Sequence, residues 1–210
     1  MSRNLILLGG GGHCKSVIDV AESAGYTILG ILDKPETVGQ EVLQYSVIGT
    51  DDEIPAFVDK AEFLITVGQI KSNSIRKKLT TLVKNAGGKF ATVIANDACV
   101  SKYARIGEGT VVMHKAVVNA DAKVGAQSII NTMADIEHDA KIGDFCHIST
   151  AAVVNGDVSV GDNVFIGSQA VIHNGKNIAS DIIVAAGTVV SKNLAKPGIY
   201  AGNPVKFYGI

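Results

Sequence analysis

Ile130-Asn131-Thr132-Met133-Ala134-Asp135-Ile136-Glu137-His138-Asp139-Ala140-Lys141-Ile142 places a branched aliphatic at every sixth residue. Two places before each aliphatic the side chain is small, as at Ser128, Ala134 and Ala140. The same register runs without a break from Ile94 to Val190, and every position in it is Ile or Val. One branched aliphatic and one small inward residue per hexad predicts a parallel β-helix of very short strands.

A longer period sits inside the short one. Gly107, Gly125, Gly143 and Gly161 each follow an aliphatic directly and recur every 18 residues, so three hexads make one coil. The repeat then spans about five coils, stacked at roughly 4.8 Å each. The residue just before each aliphatic points outward. One face carries Val93, Val111, Ile129, His147, Phe165 and Ile183, and the next carries Cys99, Val117, Asp135, Val153, Val171 and Val189. The third carries Arg105, Lys123, Lys141, Ser159 and Asn177. Two apolar outer faces are more than a lone soluble chain ordinarily exposes. Packing the first face of one copy on the second face of the next, about a three-fold axis, predicts a homotrimer.

The remaining composition sets limits. A chain of 210 residues is long enough for a sizeable core, and a formal net charge of -1 argues against nucleic-acid or anionic-membrane partners. The opening Leu5-Ile6-Leu7-Leu8 is too short for a signal peptide or a membrane span, so a cytoplasmic location is expected. Cys14, Cys99 and Cys146 have no metal-ligand spacing and read as structural thiols.

Residues 1 to about 90 lack the hexad. A strand over 4–8, the run Gly9-Gly10-Gly11-Gly12-His13, a helical pattern to Gly25, and a second strand over 27–32 ending at Asp33 open a Rossmann-like unit. A third strand over 63–67 precedes Gly68, and 72–85 reads as a polar helix carrying Arg76, Lys77 and Lys78. Glycines after a buried strand let backbone amides approach a phosphate. Cys14 stands where a full dinucleotide fingerprint has its third glycine, which disfavours NAD. Asp33 is placed to accept hydrogen bonds from a nucleoside. The division expected is a Rossmann-like domain over 1–90 and a coil with its cap over 91–210. Pro197, Gly198, Gly202 and Pro204 are expected to forbid another regular turn and to cover the coil end.

Four histidines decorate the coil. His138 falls at an outward corner between Glu137 and Asp139, and a carboxylate beside an imidazole fixes its tautomer and raises its basicity, as a general base requires. His147 is the polar ring in an aliphatic face and would look into a neighbouring copy. His114 and His173 read as solvated corner residues. A carbonic anhydrase would need three histidines converging on zinc, and the spacing of His114, His138 and His173 does not provide that.

The combination of the hexad coil with Gly11-Gly12-His13, Leu32-Asp33, Val67-Gly68, Asn131, Ile136-Glu137-His138-Asp139, His147 and the final Ala201-Gly202-Asn203-Pro204-Val205-Lys206 resembles the hexapeptide-repeat nucleotide-sugar N-acetyltransferases. Within these it is similar to the bacillosamine and perosamine acetyltransferases, with relatives named for sialic acid O-acetylation. The resemblance implies a left-handed parallel β-helix behind the α/β N-terminal domain, a trimer, and direct transfer from acetyl-CoA to the amine of a nucleotide-linked 4-amino-sugar without a metal. Carried over, it makes His138 the general base, with Asp139 raising its basicity and Glu137 and Asn131 in the catalytic group. It puts His147, Gly156, Ser168 and Ala186 along the coenzyme, and Gly11, Gly12, His13, Asp33, Lys34 and Gly68 around the nucleotide sugar. Members often carry a second acid after the Asp33 equivalent, where this chain has Lys34, which leaves base and sugar preference open. Transfer to a hydroxyl, as on a sialic acid, is the alternative chemistry, and a non-catalytic sugar-nucleotide binder is the alternative class.

Overall fold

The computed structural model describes residues 3–209. It divides into two compact units, one of Met1–Gly68 with Ser72–Asn96 and one of Gln69–Lys71 with Asp97–Ile210.

The first unit runs β1 (Arg3–Leu8), α1 (Gly12–Ser23), β2 (Tyr26–Leu32), β3 (Glu41–Val42), β4 (Tyr45–Gly49), β5 (Glu62–Ile65) and α2 (Ser74–Asn85), and its strands form one five-stranded sheet in the order β3-β4-β2-β1-β5. β1 pairs in parallel with both β2 and β5, and β3 turns back antiparallel to β4. Ile6, Leu8, Leu32, Phe63, Ile65, Leu79 and Val83 form the core between sheet and helix. β3 and β4 were not expected; the two residues of β3 are too few to show an alternating pattern.

The polar helix expected at 72–85 is amphipathic. Arg76 is buried at 1% exposure in a stripe with Leu79, Thr80 and Val83, and its guanidinium donates to the carbonyls of Ile65 and Val67 at 3.0 and 2.8 Å. Those carbonyls lie at the carboxyl end of β5, so the cation ties helix to strand. Burial pulls its pKa down to about 10, which still leaves it charged at neutral pH.

The second unit is a left-handed parallel β-helix. From Cys99–Val100 to Val189–Val190 the strands are two residues long, three at Ile182–Val184, and stack in parallel 18 residues apart, as Val117–Val118 does with Asp135–Ile136 and that with Val153–Val154. Ile130, Ile136, Ile148, Val154, Ile166 and Ile172 are fully buried inside, where stiff β-branched side chains fit a narrow prism. From Ile106 to Val184 each hexad turns through a residue at positive φ three places after its aliphatic, including Lys115, Asp121, Gln127, Met133, Asp139, Phe145 and Asp157. This conformation costs a non-glycine residue roughly 1–2 kcal/mol. The N–H there donates to the coil before, as Asp139 does to the Ala120 carbonyl and Asp157 to the His138 carbonyl, both at 3.1 Å. The corners therefore stack in register.

Two expectations are corrected here. The chain does not stop repeating at Pro197, since Gly198–Ala201 adds a further strand parallel to Ile182–Val184. Lys206–Gly209 then returns antiparallel, and Pro197 and Pro204 fall outside both strands, where no ladder donor is needed. The first outer face is also not free for a neighbouring copy along its length, because Val111 and Ile129 are fully buried and His147 is 7% exposed within the single chain.

Candidate active site

The six residues expected around a nucleotide sugar meet in the first unit. Gly11, Gly12, His13, Asp33, Lys34 and Gly68 all line one cavity of about 710 Å³. Asp33 follows β2 directly, and its Oδ2 accepts the Gly10 N–H at 2.9 Å. A Cβ on Gly10 would stand 2.9 Å from that same oxygen, so the loop is glycine where the carboxylate binds it. α1 begins at Gly12 with no side-chain cap and no acid in its first turn, which leaves its amino end suited to an anion. Thr66 holds the other side of the loop, donating to the Leu8 and Gly9 carbonyls at 3.0 and 2.5 Å. Lys78 at the rim pairs with Asp51 at 3.1 Å. Neither contact was read in the sequence, because their partners are far away along the chain.

On the coil, His138 is exposed, with Nδ1 2.9 Å from Asp139 Oδ2. A carboxylate can only accept, so Nδ1 carries the proton and Nε2 holds the lone pair in the neutral ring. The hydrogen bond to Asp139 raises the imidazole's pKa above its ordinary value, with the charges of Asp139, Glu137 and Asp157 acting in the same direction. Glu137 Oε2 accepts from Asn119 Nδ2 at 3.0 Å and from the His138 N–H at 3.2 Å. Asn119 lies 18 residues before Glu137, so counting one coil back would have found it. Gly156 lies against the His138 ring.

Asn131 and His147 form a second pair. His147 Nδ1 is 2.6 Å from the Gln69 carbonyl and must be the donor there, while Asn131 Nδ2 donates to Nε2 at 3.0 Å. His147 thus engages both ring nitrogens within its own chain. Phe165 packs edge-on at 5.2 Å between centroids, and Gln69 Nε2 donates to the Phe145 carbonyl at 2.6 Å. Ser168 Oγ is 3.0 Å from Ser149 Oγ, and Ala186 is an exposed corner residue one coil beyond. His114 is not merely solvated, since its Nδ1 sits 2.7 Å from Asp97 Oδ1 and holds that carboxyl below its usual range. Burial pushes the Cys146 thiol up to about 12, so it stays protonated at neutral pH and is no nucleophile. Among the described residues no group of three or more His, Cys, Asp or Glu could hold a metal ion, and no helix is long and apolar enough to cross a membrane.

Residues 4–83 match the family described as PglD N-terminal domain, and 139–174 match the bacterial transferase hexapeptide family of six repeats. With the coil geometry, this makes the chain a hexapeptide-repeat acyltransferase. No curated protein matches it. Among solved structures, PerB from Caulobacter crescentus in complex with CoA and GDP-perosamine is 34% identical, with a TM-score of 0.91 over 98% of this chain and 97% of that one. The acetyltransferase domain of PglB from Neisseria gonorrhoeae, in complex with acetyl coenzyme A, is 32% identical with a TM-score of 0.91 over 99% and 100%. WeeI from Acinetobacter baumannii shares the fold at 22% identity, with a TM-score of 0.86 over 99% and 100%. The chain belongs to the hexapeptide-repeat nucleotide-sugar N-acetyltransferase family.

Proposed function

We propose that this protein transfers an acetyl group from acetyl-CoA directly to the amine of a nucleotide-linked 4-amino-sugar, with His138 as general base. The observation that carries the reading is the 2.9 Å pair between His138 Nδ1 and Asp139 Oδ2 on an exposed corner, which leaves Nε2 as the basic atom. The PerB and PglB structures hold the two substrates this chemistry needs, a nucleotide-linked amino-sugar in one and acetyl coenzyme A in the other.

In the step itself the amine lone pair attacks the thioester carbonyl carbon, and the C–S bond breaks as the C–N bond forms. Nε2 of His138 takes the amine proton and passes it to the departing sulfur, which leaves as the CoA thiol. Asp139 holds the imidazolium formed in between, and the neutral Asn131–His147 pair keeps its geometry throughout. Within this reading, Glu137 stiffens the corner through Asn119, Gly156, Ser168 and Ala186 lie beside the coenzyme, and the 710 Å³ cavity takes the nucleotide. The first unit is the nucleotide-sugar domain and the second the transfer domain. The outer face carrying Val117, Val153, Val171 and Val189 is where copies pack into a homotrimer.

Thiol release from acetyl-CoA against UDP-, dTDP- and GDP-linked 4-amino-sugars tests this. Turnover on one of them supports the reading. Silence across the panel, with release on a sugar hydroxyl acceptor such as sialic acid, would replace it with O-acetylation.

A further inference from the structure

The corner two places after each aliphatic can be compared from coil to coil. It is Thr132, His138, Asp144, Thr150, Gly156, Asp162, Ser168 and Asn174 at successive corners, three to a coil, and Gly156 is the one glycine at this register between Ile94 and Val190. The backbone does not require it. Gly156 has no positive φ, and the other corners show that this position accepts side chains of varied size. Nor does a neighbouring coil's main chain require it. A Cβ on Gly107, Gly125 or Gly143 would collide with backbone atoms one coil on, at 2.6–2.7 Å. A Cβ on Gly156 would meet the imidazole of His138, at 2.7 Å from Cε1, 2.8 Å from Nε2 and 3.3 Å from Nδ1. The stacked corner bonds fix this juxtaposition, with Asp157 N–H on the His138 carbonyl at 3.1 Å and Gly175 N–H on the Gly156 carbonyl at 2.9 Å.

We propose that Gly156 is a positioning residue for the base: its missing side chain is the space in which the His138 imidazole lies while Nδ1 stays on Asp139. Below the ring in the same column stands Ala120, so the imidazole is bracketed by small residues one coil to either side. A methyl at 156 would push the ring by several tenths of an ångström, weaken its bond to Asp139 and misaim Nε2. The backbone N–H of residue 156 would stay where it is. The inference rests on His138 being the base.

The test is Gly156→Ala, alone and combined with His138→Ala, read by kcat, KM for both substrates and the pH profile. Displacing a reacting group by a fraction of an ångström to 1 Å can cost up to about 100-fold. The expectation is a kcat loss of roughly 10- to 100-fold with both KM values within about threefold. The acidic limb should move to lower pH as the bond to Asp139 weakens. In the His138→Ala background the second substitution should cost nothing further, since the group it displaces is gone. A Gly156→Ala enzyme with unchanged kcat and pH profile overturns the proposal, as does an equal loss in both backgrounds. A His138→Ala enzyme with full activity removes the base reading itself and this inference with it, whereas failure of the inference alone leaves His138→Ala slow. If Gly156→Ala does not fold, a folded double variant supports the steric pair, and a double variant that also fails to fold overturns it.

Discussion

Asn131 Nδ2 lies 3.0 Å from His147 Nε2, and Asn131 Oδ1 accepts the Thr132 N–H at 2.7 Å, so the amide has one orientation and presents a donor to the ring. With Nδ1 given to the Gln69 carbonyl, both nitrogens of this imidazole are satisfied in its neutral form. The ring is thereby held in one orientation, with its Nε2 lone pair directed at the Asn131 amide.

Asn131→Leu leaves His147 Nε2 buried without its donor. An unmet buried acceptor costs about 1–3 kcal/mol, which urea unfolding followed by circular dichroism should read as a lower midpoint with an unchanged slope.

Asp139→Asn keeps a residue that tolerates the left-handed corner while removing the charge that raises His138. His138 acts as a base only when neutral, so activity falls as pH drops through its raised pKa. In the variant that limb of the kcat/KM profile should move to lower pH, and the plateau should fall because a weaker base takes the proton less readily. An unmoved limb would show that His138 does not titrate in the rate.

Asp33→Ala removes the acceptor that holds Gly10 in the loop under the cavity. A bond to a charged group contributes about 1.5–3 kcal/mol, so KM for the nucleotide sugar should rise roughly 10- to 100-fold. KM for acetyl-CoA should stay as it is, which steady-state kinetics with each substrate varied in turn will separate.

Gly143→Ala places a methyl 2.7 Å from the Gly161 carbonyl carbon and 2.8 Å from the Asp162 nitrogen, where stacked backbones leave nothing soft to move. Overpacking of this kind costs about 1–3 kcal/mol, so the thermal midpoint should fall by several degrees.

The hexad was legible because a period of six with Ile or Val at every repeat has no competing explanation. From it followed the coil, its 18-residue register and the outward place of the Glu137-His138-Asp139 corner. The left-handed corners were not legible, because Lys115, Met133, Phe145 and Ala151 occupy them as readily as Asp and Asn do. The stack of coils imposes that conformation, and local preference yields to it. Arg76 was misread for a different reason. Its i, i+3, i+4 and i+7 partners Leu79, Thr80 and Val83 were in view, but a cation inside a buried stripe shows only once the carbonyls of Ile65 and Val67 are seen to receive it. Gln69 reaches its partners across 76 and 78 residues, and no periodicity carries that distance. His138 and Gly156, by contrast, are one coil apart, so counting places one over the other even though only coordinates reveal the contact.

In the proposed transfer His138 takes the amine proton. The most direct measurement is kcat for His138→Ala on the accepted nucleotide sugar, with circular dichroism and mass in solution matched to the unaltered protein. Acid-base groups contribute about two to four decades. A loss of that size is expected, with KM for acetyl-CoA little changed, and a folded His138→Ala protein turning over at the original rate would contradict the role of His138 as base.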